Sequence, residues 1–332
     1  MLTREHTTTT LVRTYRTDLD MDSNTIGSIG VIGAGLMGHS IAMNFAVGGH
    51  EVVLIDTTDE NLHKAMQDVS ATLGVLQEQG LVDETTAQAV PGRIRTSTSI
   101  EGAMDDVGFV VEAVFEDLDL KRRIFADLDT HCPPHAVLTS NTSSYMTSQL
   151  APSTNRPDKV VVANWWNPAH LLPLVEVVRG PDTSDETIEI TKSVLEGIGK
   201  RPVVLQKESL GFIGNRMQFA LLREALSVVD KGIASAEDVD TVVKTGFGRR
   251  LAVAGPLEVF DIAGWDTISH IIDELYPDLD TSDENSPTIT EMLERGDLGV
   301  KSGQGFYEWN DEAVAALRQR ITHALAAIDR FD

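Results

Sequence analysis

A chain of 332 residues is long enough for one large or two ordinary domains, and 42% hydrophobic residues suffice for a sizeable core. The formal charge of −24 sets the chain against nucleic acid and anionic membrane surfaces, which are bound through basic patches. The lone Cys132 excludes an intrachain disulfide framework and fits a reducing cytoplasm, and no apolar run reaches the roughly 20 residues a membrane helix needs.

Residues 1–25 are Thr-rich, lack the apolar stretch of a signal peptide and read as a disordered tail. From Ile26 the pattern changes. "IGSIGVIGAGLMGHSIAMNFAVGGHEVVLID" reads as strand, tight glycine turn, helix and strand. Gly33, Gly35 and Gly38 form G-x-G-x-x-G. The first allows the turn, the second lets the backbone approach a pyrophosphate, and the third lets the helix pack on the strand. Leu36 and Met37 open the helix, whose free N–H groups face the phosphates. Asp56 ends the next strand, where a carboxylate binds ribose hydroxyls and repels a 2′-phosphate. Thr57, Thr58 and Asp59 follow it, with no basic residue, so the cofactor expected is NAD rather than NADP.

"VGFVVEAV" (Val107–Val114) is a continuous apolar strand, as in a parallel sheet covered on both faces. An amphipathic helix, "DLDLKRRIFADLDTHC", follows, and "AVLTSNTSS" is a strand running into a polar loop. Glu116, Lys121, Asn141 and Ser143 fall just past strand ends, where open α/β sheets bind ligands. After "KRPVVLQKES" the pattern turns helical: "GFIGNRMQFALLREALSVVDKG" (Gly211–Gly232), "SAEDVDTVVKTG", "GPLEVFDIAGWDTISHIIDEL" and "DEAVAALRQRITHALAAI". The expected organisation is a Rossmann-like α/β domain over 26–209 and an all-helical domain over 210–332. Apolar stripes on the helices suggest pairing into a homodimer. The scattered histidines have no metal-ligand spacing.

Six segments in order, "VIGAGLMG", "EAVFEDLDLKRRIFADLD", "SNTSS", "NWWNPAHLLPLVEVV", "GFIGNRMQFALLREAL" and "LGVKSGQGFYEW", give the chain its likeness. It resembles the 3-hydroxyacyl-CoA dehydrogenase family, on the branch near lambda-crystallin-type and carnitine dehydrogenases. The resemblance implies NAD-dependent interconversion of a 3-hydroxyl and a 3-ketone. It implies cofactor contacts from Ala113, Val114, Glu116, Lys121, Asn141, Ser143 and Asn167. It implies a substrate-binding role for Ser143 and Asn215, and a histidine-orienting role for Glu176. The histidine itself belongs at position 164, twelve residues before Glu176, where this chain has Asn164.

An amide neither gains nor loses a proton near neutral pH, and loss of general acid–base help costs about 10²- to 10⁴-fold. Three readings stay open: an inactivated dehydrogenase, a base relocated to His170 or Glu176, or another function on the same fold, including a crystallin-like NAD-binding protein without turnover. Ala65 to Gly92, where the family contacts coenzyme A, holds no Lys or Arg, which favours a small hydroxy acid over a CoA thioester. Trp165 and Trp166 adjoin the expected reaction centre and suit either a quaternary ammonium or domain-junction packing. Arg249 is a candidate clamp for a substrate carboxylate.

Overall fold

The structure, a computed structural model, describes residues 26–328. The expected disordered tail lies outside the described residues. Eight strands form one sheet: β1 (Ser28–Ile32), β2 (Val52–Ile55), β3 (Ile94–Ser97), β4 (Val107–Glu112), β5 (Val137–Ser140), β6 (Val160–Trp165), β7 (Leu174–Val178) and β8 (Arg201–Leu205). Their order is β3-β2-β1-β4-β5-β6-β7-β8. The first six are parallel; β7 runs antiparallel to β6, and β8 runs parallel to β7.

Between the strands lie helices α1 (Leu36–Val47), α2 (Asp59–Glu78), α3 (Glu84–Arg93), α4 (Leu118–His131), the short α5 (Thr147–Leu150) and α6 (Asp185–Gly197). Every residue of β1, β2, β4, β5 and β6 is buried, so these strands read as runs of apolar residues without alternation. Side chains such as Phe45, Phe109 and Phe125 fill the layers between sheet and helices. The chain leaves β1 towards β2 on one side, while β4 pairs on the other. The sheet order therefore reverses at the carboxyl ends of β1 and β4, which in open α/β sheets is where ligands bind.

The chain divides into two compact units after Ile213, four residues later than the sequence pattern suggests. The segment after β8 belongs with the sheet because the Ile213 amide donates to Glu176 on β7 (2.8 Å). The second unit contains α7 (Gly214–Asp230), α8 (Ala236–Thr245), α9 (Phe247–Leu251), α10 (Pro256–Ala263), α11 (Trp265–Leu275), α12 (Pro287–Arg295) and α13 (Asp311–Ile328). The stretch expected as a helix from Gly211 starts at Gly214. The stretch "GPLEVFDIAGWDTISHIIDEL" is two helices, because Gly264 adopts φ +89° and breaks the ladder between α10 and α11. Among the described residues, no helix is long and apolar enough to cross a membrane, and no cluster of His, Cys, Asp and Glu is arranged for a metal.

Candidate active site

The glycine turn sits at the reversal point. Gly33 follows β1 with φ +97°, and a Cβ there would lie 2.7 Å from the Ala113 carbonyl oxygen. A Cβ on Gly38 would lie 1.7 Å from the Gly33 oxygen, so only glycine lets α1 approach the strand this closely. Gly35 faces open space, with nothing within 4 Å of its missing Cβ. That space, under the amino end of α1, suits a pyrophosphate. Leu36 is exposed at the lip and Met37 is half-buried.

Asp56 ends β2 and closes this turn. Its Oδ2 accepts from the Ala34 amide (2.7 Å). Its Oδ1 accepts from the Thr57 amide (2.7 Å) and from Asn61 Nδ2 (2.7 Å). Partial burial would raise the Asp56 pKa, but the bonds from Asn61, Ala34 and Thr57 outweigh it and hold the carboxyl below its usual range. A fixed anion at this place fits a ribose diol and repels a 2′-phosphate. The cradle, the open Gly35 face and Asp56 together fit NAD.

Across the reversal point, β4 ends in Glu112, a fully buried carboxylate. The Ala113 amide bonds the Ile32 carbonyl oxygen at the end of β1 (2.7 Å), and the Val114 amide bonds Glu112 Oε1 (2.7 Å). Glu116 Oε1 accepts from Thr142 Oγ1 and from the Ser143 and Ser144 amides (3.2 and 3.1 Å). Burial pushes the Glu116 pKa up, yet these donors and Lys121 hold it below the ordinary value. The family resemblance implies a cofactor contact for Lys121. Lys121 is instead buried, with Nζ at 2.8 Å from Glu112 and 3.2 Å from Glu116. Asn141 also turns inward: its Oδ1 accepts from the Trp165 amide (2.9 Å). Ser143 is exposed, as is Asn167, which precedes Pro168 through a cis peptide.

Asn164 and Glu176 are register partners on the antiparallel pair β6 and β7. Both are buried, and Asn164 Nδ2 donates to Glu176 Oε2 (3.1 Å). The Trp166 indole N–H donates to the same oxygen (3.2 Å). Residue 165 points to the opposite face, by strand alternation. Trp165 is thus buried, 5.6 Å from the Phe45 ring and under the Lys200 ammonium, and its indole N–H has no partner among the described residues. It is a packing residue; Trp166 alone of the pair adjoins the candidate centre.

His170 is likewise drawn away. Its Nδ1 pairs with Ser40 on α1 (3.2 Å). Burial, reinforced by Lys200 and His39, lowers its pKa to about 4. None of its described bonds touches Asn164 or Glu176. Asn215, in the first turn of α7, and the exposed Arg249 on α9 both belong to the second unit.

Three contributors escape a sequence reading. Asn61 looks like an ordinary residue of a helix's first turn, and Ser140 is hidden inside an apolar strand. Glu112 carries a usable signal, a lone charge at the end of a doubly buried strand, which demands a buried partner.

A glycine cradle at the sheet reversal, an anionic Asp56 beside it and a polar floor of β4 to β7 define an NAD-binding oxidoreductase. The family model described as 3-hydroxyacyl-CoA dehydrogenase, NAD binding domain, matches residues 28–209, and that of the C-terminal domain matches residues 211–309. The chain belongs to the 3-hydroxyacyl-CoA dehydrogenase family. It is 32% identical over 306 residues to 5-formyl-3-hydroxy-2-methylpyridine 4-carboxylate 5-dehydrogenase of Mesorhizobium japonicum, covering 92% of this chain and 98% of that protein. It is 37% identical over 281 residues to a probable 3-hydroxybutyryl-CoA dehydrogenase of Deinococcus radiodurans, covering 84% of this chain and 99% of that one. Among solved structures it matches the same pyridine carboxylate dehydrogenase, described as an NAD+-dependent dismutase, with a TM-score of 0.85, 31% identity, and coverage of 92% and 98%.

Proposed function

We propose that this chain is an NAD-dependent oxidoreductase that interconverts a hydroxyl and a carbonyl on a small carboxylic acid, with its proton step altered by Asn164. The observation that carries the reading is the buried Asn164–Glu176 pair, next in the chain to the Trp165 amide that bonds Asn141 of the polar loop carrying Ser143.

Oxidation of a carbinol sends a hydride from carbon to the nicotinamide and a proton from oxygen to a base. Histidine does the second job well because its pKa lies near neutrality. At position 164 an amide is held by Glu176 where the family resemblance places that imidazole. Since the carboxylate only accepts, the Asn164 NH₂ faces it, and the amide oxygen turns the other way. Asn164 can hold a substrate hydroxyl in place but cannot carry its proton away. Without a base at this position the hydroxyl proton would pass to solvent water, and turnover is slow. Ser143 would hold the substrate oxygen.

A small acid is favoured over a CoA thioester because Glu78, Asp83 and Glu84 are exposed at the end of α2, the cap of α3 and its first residue, with no Lys or Arg between Ala65 and Gly92 to meet phosphates. The likeness to a pyridine carboxylate dehydrogenase points the same way. Homodimerisation through the helical unit is part of the reading. Phe219, Leu222, Leu257, Ile262 and Ile271 are exposed there and would be covered by a second copy. A cytoplasmic site of action is consistent with the single buried cysteine.

The test is NADH formation or loss at 340 nm for the parent and Asn164→His, with free 3-hydroxy acids, a pyridine hydroxymethyl carboxylate, carnitine and 3-hydroxybutyryl-CoA. The expected result is slow parental turnover of a free acid, raised at least about 100-fold by histidine. Turnover confined to the CoA thioester overturns the substrate reading. An active parent with a dead histidine variant overturns the altered-proton reading. Silence of both with NADH still bound means a binding protein without turnover.

A further inference from the structure

We infer that Glu112 is a positioning residue for the nicotinamide side of the NAD site, acting through Lys121 on Glu116 and the loop that carries Ser143. The inference rests on NAD as the cofactor and extends to residues to which the family resemblance gave no part.

Glu112 is the last residue of β4 and is 0% exposed. All of its described partners are donors. Oε1 accepts from Lys121 Nζ (2.8 Å) and the Val114 amide (2.7 Å), and Oε2 accepts from Ser140 Oγ on β5 (2.6 Å). Lys121, 1% exposed, spends its remaining donors on Glu116 Oε2 (3.2 Å) and the Val114 carbonyl oxygen (3.3 Å). An ammonium has three N–H bonds, and three acceptors surround it here. Lys121 thus has no donor left for a ligand. It is a brace between two carboxylates.

The far carboxylate is the one that reaches the surface. Glu116 Oε2 faces Lys121, while Oε1 gathers Thr142, Ser143 and Ser144. A continuous set of polar contacts therefore ties the ends of β4 and β5, the start of α4 and the Ser143 loop. One cation among two anions leaves a net single negative charge, and Glu112 takes its share by being buried beside the ammonium. Without that charge, Lys121 is balanced by Glu116 alone. The ammonium then competes with the loop amides for the Glu116 carboxylate, and the wall that faces the nicotinamide loosens. A buried cation that loses one of two anions is poorly compensated, because water cannot replace the partner.

The experiment measures NADH affinity by fluorescence titration, together with thermal stability, for the parent, Glu112→Gln, Ser140→Ala and the double variant Glu112→Gln/Lys121→Met. Expected for Glu112→Gln is about tenfold weaker NADH binding, the scale of one lost bond to a buried charge. Ser140→Ala, which removes a single donor and keeps both charges, is expected to weaken binding about threefold. The double variant removes the stranded ammonium and should regain stability but not affinity, since Glu116 stays unbraced. If Glu112→Gln does not fold, Ser140→Ala and the double variant carry the same comparison. Unchanged NADH affinity in Ser140→Ala and the double variant overturns the inference, as does affinity that recovers in step with stability. A parent that binds no NADH overturns the cofactor assignment itself, and this inference with it.

Discussion

Asn164 and Glu176 face each other across β6 and β7, and the amide donates to the carboxylate at 3.1 Å within a buried site. Glu176 is also the acceptor for Trp166 and Ile213, so one carboxylate joins two strands, the segment after β6 and the end of the first unit. Replacing it with glutamine turns an NH₂ towards groups that are themselves donors. Glu176→Gln should lose about 1–3 kcal/mol of stability, read by thermal or urea denaturation. In an Asn164→His background it should also cost about 10²- to 10⁴-fold in turnover, because the imidazole loses its orienting anion. Unchanged stability would remove Glu176 from this role.

Trp166→Phe keeps an aromatic side chain, smaller than the indole, and deletes one donor to Glu176. The expected loss is smaller, about 0.5–1.5 kcal/mol. Trp165→Phe deletes an N–H that bonds nothing among the described residues. It should cost less through that polar atom and more through packing against Phe45. Denaturation of both variants, with NADH affinity measured alongside, separates the two tryptophans. A larger affinity loss in Trp165→Phe would reverse their assignment.

Asp56 and Glu116 both titrate below their ordinary values in the folded protein. Each therefore favours the folded, anionic site above its unfolded pKa, and that contribution is lost as the pH falls through the lower folded pKa. NADH affinity should stay level as the pH falls to the ordinary carboxylate range and decline only below it. Asn61→Ala removes one donor from Asp56, so the decline should begin at higher pH. Asp56→Ala should weaken NADH binding and narrow its preference over NADPH, measured by titration with both. An undiminished preference would place cofactor selection elsewhere.

The His170 pKa is lowered to about 4 because the ring is largely withdrawn from water with Lys200 and His39 nearby. Its lowered pKa means that the unfolded chain binds the proton more readily. Stability should fall as the pH drops from 6.5 towards 4, by about 3 kcal/mol at most for a shift of this size. His170→Gln should flatten that limb of the stability curve. It should leave no mark on a pH–rate profile between pH 6 and 8, where the parent imidazole is neutral. A rate-controlling pKa near 6.5 abolished in this variant would restore His170 as a candidate base.

The glycine turn, Asp56 and the run of apolar strands were legible in the sequence because each depends on local geometry: a positive φ, a close approach, a strand buried on both faces. The relation between positions 164 and 176 came through the family resemblance alone, and the structure makes the two register partners on β6 and β7. What lay beyond the sequence was the inward or outward sense of each polar side chain. Lys121, Trp165 and His170 carry groups that suit a ligand, and only the packing shows that Glu112, Phe45 and Ser40 have taken them. The unit boundary moved from residue 209 to 213 for the same reason, because the Ile213 amide finds its acceptor 37 positions back on β7. Local pattern sets backbone conformation, but burial and hydrogen-bond partners are decided by residues far away in the chain, and those partners determine which side chains remain available for chemistry.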